Sequence, residues 1–79
     1  MIKSVDYDRE ADAIYIYFSN GKVTHTKQID DMRYIDYDVA NCIIGIELLN
    51  VSDGVITDNL PHRAEIEKAL ADNGIKVYA

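Results

Sequence analysis

Tyr7-Asp8-Arg9-Glu10-Ala11-Asp12-Ala13-Ile14-Tyr15-Ile16 decides how this chain folds, together with its echo Ile44-Gly45-Ile46-Glu47-Leu48-Leu49. Each sets an acidic or glycine-marked break against a strand that is apolar on both faces. A strand of that kind has to be covered on both sides. At 79 residues the chain lies near the size where one core is only marginally stabilising. Self-association, as a homodimer, is the expectation.

Outward from that stretch, Ile2 to Tyr7 reads as a first strand and Ala13 to Phe18 as a second. Ser19-Asn20-Gly21-Lys22 follows, and Asn-Gly between two strand patterns predicts a tight hairpin, because both residues tolerate the positive φ of a type I′ turn. Val23 to Ile29 is a third, more polar strand. Met32 to Asp38 and Ile43 to Leu49 form a second hairpin across Val39-Ala40-Asn41-Cys42, with Asn41 suited to the left-handed region. After a loop over 50–60, Pro61 in a first turn and Gly74 just past the end frame a helix over 61–73. Ile66, Ala69 and Leu70 are its apolar stripe, Ile75 closes a Schellman-type contact, and 75–79 continue as an extended tail. The class is α+β: a single domain over 1–79, with a small antiparallel β-meander of about five strands over 2–49 and one C-terminal helix on one face.

The formal net charge is −6, and the whole excess precedes Leu60. An acidic sheet repels phosphate backbones, so nucleic acid is excluded as a direct ligand and a basic protein is the better partner. Cys42 is the only cysteine, so no internal disulfide forms and no oxidising compartment is implied. The first residues lack the apolar region of a signal peptide. The run Ala13 to Phe18 is far short of a membrane span. A soluble cytoplasmic protein without membrane contact is expected.

Alternation divides the second strand into Ile14, Ile16, Phe18 and Ala13, Tyr15, Tyr17. One helix covers one face of a small sheet. The other is left presenting Tyr15, Tyr17, Tyr34, Ile43 and Leu49, an interface composition. Asp6, Asp8, Glu10 and Asp12 cluster at the first turn, either as turn chemistry and edge protection or as a docking surface for a cationic partner.

Three separated blocks, Tyr7-Asp8-x3-Asp12-Ala13-Ile14-Tyr15-Ile16, Asp36-Tyr37-Asp38 and Ile44-Gly45-Ile46-Glu47-Leu48-Leu49-x2-Ser52, occur in an order that resembles domain-of-unknown-function family 2283, a family of small bacterial proteins. The resemblance covers residues 2 to about 53. This chain departs from the family in having Val39-Ala40-Asn41-Cys42 where a glycine turn is usual, and in adding the helix after Ser52. The family brings no established activity and no catalytic residues. Some members look like partners in toxin–antitoxin pairs, which implies an antitoxin-like neutraliser of a basic toxin as one form the function takes.

Chemistry-bearing residues are few. Counting Asp36 as position 1 of a calcium loop puts Asp38 at 3 and Glu47 at 12, but position 6 is Asn41 instead of glycine and the flanks are strands. In the hairpin Asp36 faces Gly45 and Glu47 pairs near Tyr34, which spreads the carboxylates apart. Glu47 between Ile46 and Leu48 suits either a perturbed general base or a carboxylate bonded to a Tyr hydroxyl or Lys. Gly45 lets a cross-strand ring approach closely. His25, His62 and Cys42 have neither zinc-site spacing nor the third group of a nucleophilic pair. The expected function is a non-enzymatic, homo-oligomeric interaction or regulatory module with an acidic surface and no cofactor or metal. The alternative is a small enzyme using Glu47 with Asp36 and Asp38 at a protomer interface.

Overall fold

The strands take their places by how much apolar surface each must hide. In the computed structural model, which describes residues 1–78, five of them form one antiparallel sheet: β1 (Ser4–Asp8), β2 (Ala13–Tyr17), β3 (His25–Asp30), β4 (Arg33–Tyr37) and β5 (Ile43–Leu49). Their order is β1-β2-β5-β4-β3. The two strands that are apolar on both faces, β2 and β5, pair near the middle. β3, nearly all exposed, forms one edge, where polar residues stay hydrated.

The fold class is the one read from the sequence: a five-stranded antiparallel sheet with one C-terminal helix. The path is not sequential, because Asn20-Gly21 does not close a hairpin. β2 takes β1 and β5 as neighbours, and residues 18–24 carry the chain to the far edge. Phe18 and Ser19 donate their N–H groups to the Ile44 carbonyl, and Thr24 donates to that of Tyr37. A β2–β3 hairpin would have set the most polar strand against an apolar one that needs burial. The β4–β5 hairpin forms as expected, with Asp36 opposite Gly45 and Tyr34 opposite Glu47. Asn41 has φ 63°, and Asp38 accepts the Ala40 and Cys42 N–H groups through Oδ1.

Ile14, Ile16, Ile35, Ile46 and Leu48 line the inner face and meet Val51, Val55, Leu60, Ile66, Leu70 and Ile75. The covering layer is richer than a loop and a helix. A 3₁₀ turn (Val51–Asp53) leads into β6 (Val55–Ile56), which pairs in parallel with β7 (Val77–Tyr78) beyond the helix. α1 runs over Arg63–Asp72, shorter than predicted, because His62 is left-handed at φ 54° and stays outside it with Pro61. Its far end is the predicted Schellman motif. Gly74 (φ 73°) donates to the Ala71 carbonyl and Ile75 to that of Leu70. Ile66, Ala69 and Leu70 are the buried stripe.

Arg33 is the one inward-facing charge of β4, and it is 8% exposed. Its Nε and Nη2 each lie 2.9 Å from Asp30 Oδ2, and Nη1 donates to the carbonyls of Ile56 and Asp58. A guanidinium removed from water is tolerated only with such partners. It ties β4 to the segment around β6. Burial pushes the Asp30 carboxyl up, but the Met32 N–H and the Arg33 guanidinium outweigh it and hold it below the ordinary value.

Candidate functional site

Among the described residues, no helix or strand covers the second face of the sheet. Reading the register across the strands gives its composition in rows. One row runs Asp6, Tyr15, Glu47, Tyr34, Gln28, and the next pairs Ser4, Tyr17, Gly45, Asp36 and Thr26. A third holds Asp8, Ala13 and Leu49. Neighbouring positions in a row are one strand spacing apart, roughly 4.8 Å. Carboxylates therefore alternate with tyrosine rings across the sheet. Four of the carboxylates, those of Asp6, Asp8, Asp36 and Glu47, share this face. No Lys or Arg of a strand does, since Lys27 pairs with inward-facing Ile35 and Arg33 with inward-facing Leu48.

Gly45 fixes the centre of the face. A Cβ built there would collide with Tyr15 Cε1, so only glycine lets the Tyr15 ring lie across β5. The ring reaches past β5 to β4, where its hydroxyl donates to Asp36 Oδ2 at 2.5 Å. Thr26 donates to Asp36 Oδ1. Asp36 is thus engaged on both oxygens by strands on either side of it. Burial raises the Tyr15 phenol well above its ordinary value, and the Asp36 carboxylate raises it further. Tyr17 packs beside Tyr15 with ring centroids 4.5 Å apart. Glu47 lies between Tyr15 and Tyr34 and, among the described residues, its carboxylate makes no hydrogen bond or ion pair.

Of the residues expected at an interface, Tyr15, Tyr17, Tyr34 and Leu49 lie together on this face, all partly exposed. Ile43 does not join them. The register shifts between Asp36 and Tyr37, so that Ile43 pairs with Tyr37 and packs against the core cluster. Alternation fails where a bulge inserts an extra residue.

The acidic cluster divides in two. Asp8 accepts the Ala11 N–H. Asp12, left-handed at φ 56°, accepts the Ser52 N–H at 2.9 Å and the Ser52 hydroxyl at 2.6 Å, while its own carbonyl accepts from Val51. It staples the β1–β2 turn to the end of β5. Asp6 and Glu10 are exposed. Asp38 is turned into its own loop, which separates it from Asp36 and Glu47. Among the described residues, no three His, Cys, Asp or Glu side chains gather as a metal site. What sequence reasoning missed is the Tyr15–Asp36–Thr26 knot, whose partners are 21 and 10 residues apart and become neighbours only through the strand order.

The family model confirms the resemblance. This chain belongs to the family described as Protein of unknown function (DUF2283), whose model matches residues 4–52. The matched span starts at β1 and stops on Ser52, so both ends of the Asp12–Ser52 staple and every strand of the large sheet lie inside it. An uncharacterised protein of the archaeon Methanocaldococcus jannaschii is 40% identical over 48 residues. The alignment covers 61% of this chain and 40% of that protein, so the DUF2283 chain corresponds to less than half of its relative. No solved structure matches. No helix among the described residues is long and apolar enough to cross a membrane.

Proposed function

We propose that this DUF2283 chain is a non-enzymatic protein-interaction module whose working surface is the open face of the sheet. The observation behind the reading is the unequal treatment of the two faces. One is closed by α1, the 3₁₀ turn and the β6–β7 pair, while the other presents three tyrosines in adjoining rows. Tyrosine suits such a surface because its ring packs while its hydroxyl keeps a partner. The enzymatic alternative finds less support, since Asp36 has both oxygens engaged and Asp38 is bound to its own turn.

The occupant is either a second copy or a different protein. A face-to-face homodimer would double the carboxylate density of a surface that holds no strand cation, and like charges set opposite one another cost binding energy. A different protein is therefore the better-matched occupant, and neutralisation of a basic toxin is one form of that role. Photo-crosslinking in cells tests the module. A benzophenone amino acid at Tyr34 is expected to give a discrete adduct, whereas one at exposed Lys68 on α1 gives none. Adducts from Lys68 alone, or from neither position, would overturn the reading. An adduct at twice the mass of the chain would identify the homodimer.

A further inference from the structure

We infer that the open face takes a cationic protein segment, with arginine as the residue it is built to receive and Glu47 as the central acceptor. This rests on the open face being the working surface and names the chemistry of its partner.

Charge complementarity carries the argument. Every ionised group that the strands place on this face is a carboxylate. Two of the four are already engaged: Asp36 by Tyr15 and Thr26, and Asp8 by the Ala11 N–H. Asp6 and Glu47 have no such partner among the described residues, and both stand in the same row, on either side of Tyr15. They lie two strand spacings apart, roughly 9.6 Å, with a tyrosine between them and a second tyrosine, Tyr34, beyond Glu47.

That arrangement suits a guanidinium more than an ammonium. A planar guanidinium donates two parallel N–H groups to one carboxylate and stacks its face on an adjacent aromatic ring. Glu47 offers the carboxylate, and Tyr15 and Tyr34 stand one strand spacing to either side with their rings on the same surface. The Tyr15 ring is held by its bond to Asp36 and by the cradle at Gly45, so little ordering remains to be done on binding. The half-buried setting of Glu47 shields the pair from water and salt more than an exposed carboxylate would be shielded.

The test is an NMR titration of the ¹⁵N-labelled chain with a synthetic peptide alternating arginine and serine, run beside lysine–serine and glutamate–serine versions. Shifts are expected on β2, β4 and β5 with the arginine peptide, weaker ones with lysine and none with glutamate. Glu47→Gln should weaken the arginine peptide about tenfold, the loss of one charge-assisted contact, and Glu65→Gln on the helix side should leave it unchanged. Both substitutions are at solvent-accessible positions, and spectral dispersion verifies the fold. Equal weakening by the two variants, equal binding of lysine and arginine peptides, or shifts confined to the helix side would overturn the inference. An acidic or neutral protein crosslinked at Tyr34 would defeat the arginine reading while leaving the module reading standing. Absence of any adduct from the open face would defeat both.

Discussion

The two faces of the sheet are drawn from the same strands, and they differ in what holds them. On the inner face Ile14, Ile16, Ile46 and Leu48 are almost wholly removed from water, and their stabilisation scales with area and with the fit of their neighbours. On the outer face the contacts are few and directional: a phenol to a carboxylate, a hydroxyl to the same carboxylate, one ring against another. The inner face is where the chain keeps its stability. The outer face keeps a shape and a charge.

The largest effect that separates them is a truncation on each side. Ile46→Ala opens a cavity at a fully buried position and should cost about 2–5 kcal/mol, a large share of what a domain this size holds. Tyr34→Ala, whose hydroxyl makes only long contacts to Gln28 and the Asp31 carbonyl, should cost about 1 kcal/mol or less. Urea denaturation of both variants measures the contrast. Equal losses would mean that the open face stabilises the monomer as the core does.

Next in size is Gly45→Ala, which tests whether the outer face is preorganised. The added methyl group cannot coexist with the Tyr15 ring, so the ring must leave and its bond to Asp36 must break. A loss of about 1–3 kcal/mol is expected. Combined with Tyr15→Ala, it should cost clearly less than the two single changes together, because the clash is gone. Strict additivity would show that the ring moves aside without consequence.

A smaller effect is expected at the staple that joins the two ends of the family's matched span. Ser52→Ala removes the hydroxyl but leaves the Ser52 N–H on Asp12, and should cost about 1 kcal/mol. Asp12→Ala should cost more, since it removes the acceptor of both bonds and places alanine at φ 56°, where a Cβ is disfavoured. The reverse order of the two losses would show that the staple is not what the acidic residue does.

How far the sequence revealed this architecture follows from the range of each interaction. The Schellman motif at Gly74 and Ile75, the turn at Asn41 and the pairing of Tyr34 with Glu47 are local or set by one hairpin, and all were legible. The strand order was not. Asn20-Gly21 is a strong local signal that lost to the burial demand of β2, a demand met by β5, the central strand of the sheet. Ile43 misled because period-2 reasoning takes the register as unbroken, and the shift beside Tyr37 breaks it. The buried guanidinium of Arg33 and the β6–β7 pair depend on segments distant in sequence, and no spacing announces them. On the open face the tyrosines could be grouped by alternation, and a ring over Gly45 was foreseeable. That Asp6 stands in the same row as Tyr15 and Glu47 required the register of three strands.

The smallest effect is spectroscopic, and it isolates the knot at the centre of the outer face. The chain has six tyrosines. Tyr15 should ionise well above the ordinary phenol value, because burial disfavours its phenolate and Asp36 adds both a hydrogen bond to the neutral form and a negative charge beside the ionised one. Absorbance of the phenolate against pH should therefore show a late step from Tyr15. Asp36→Asn, which keeps an oxygen acceptor but removes the charge, should move that step toward the ordinary phenol value without abolishing it, since burial remains. The same linkage has a definite sign. The folded phenol binds its proton more tightly than the unfolded one, so its stabilisation is complete below the unfolded value of about 10 and is lost as pH rises through the folded value. Wild-type stability should thus fall more steeply than that of Asp36→Asn above that pH. A late step that disappears entirely in Asp36→Asn would assign the shift to the carboxylate alone, and the Tyr15 ring would then be more open to water than its place over Gly45 requires.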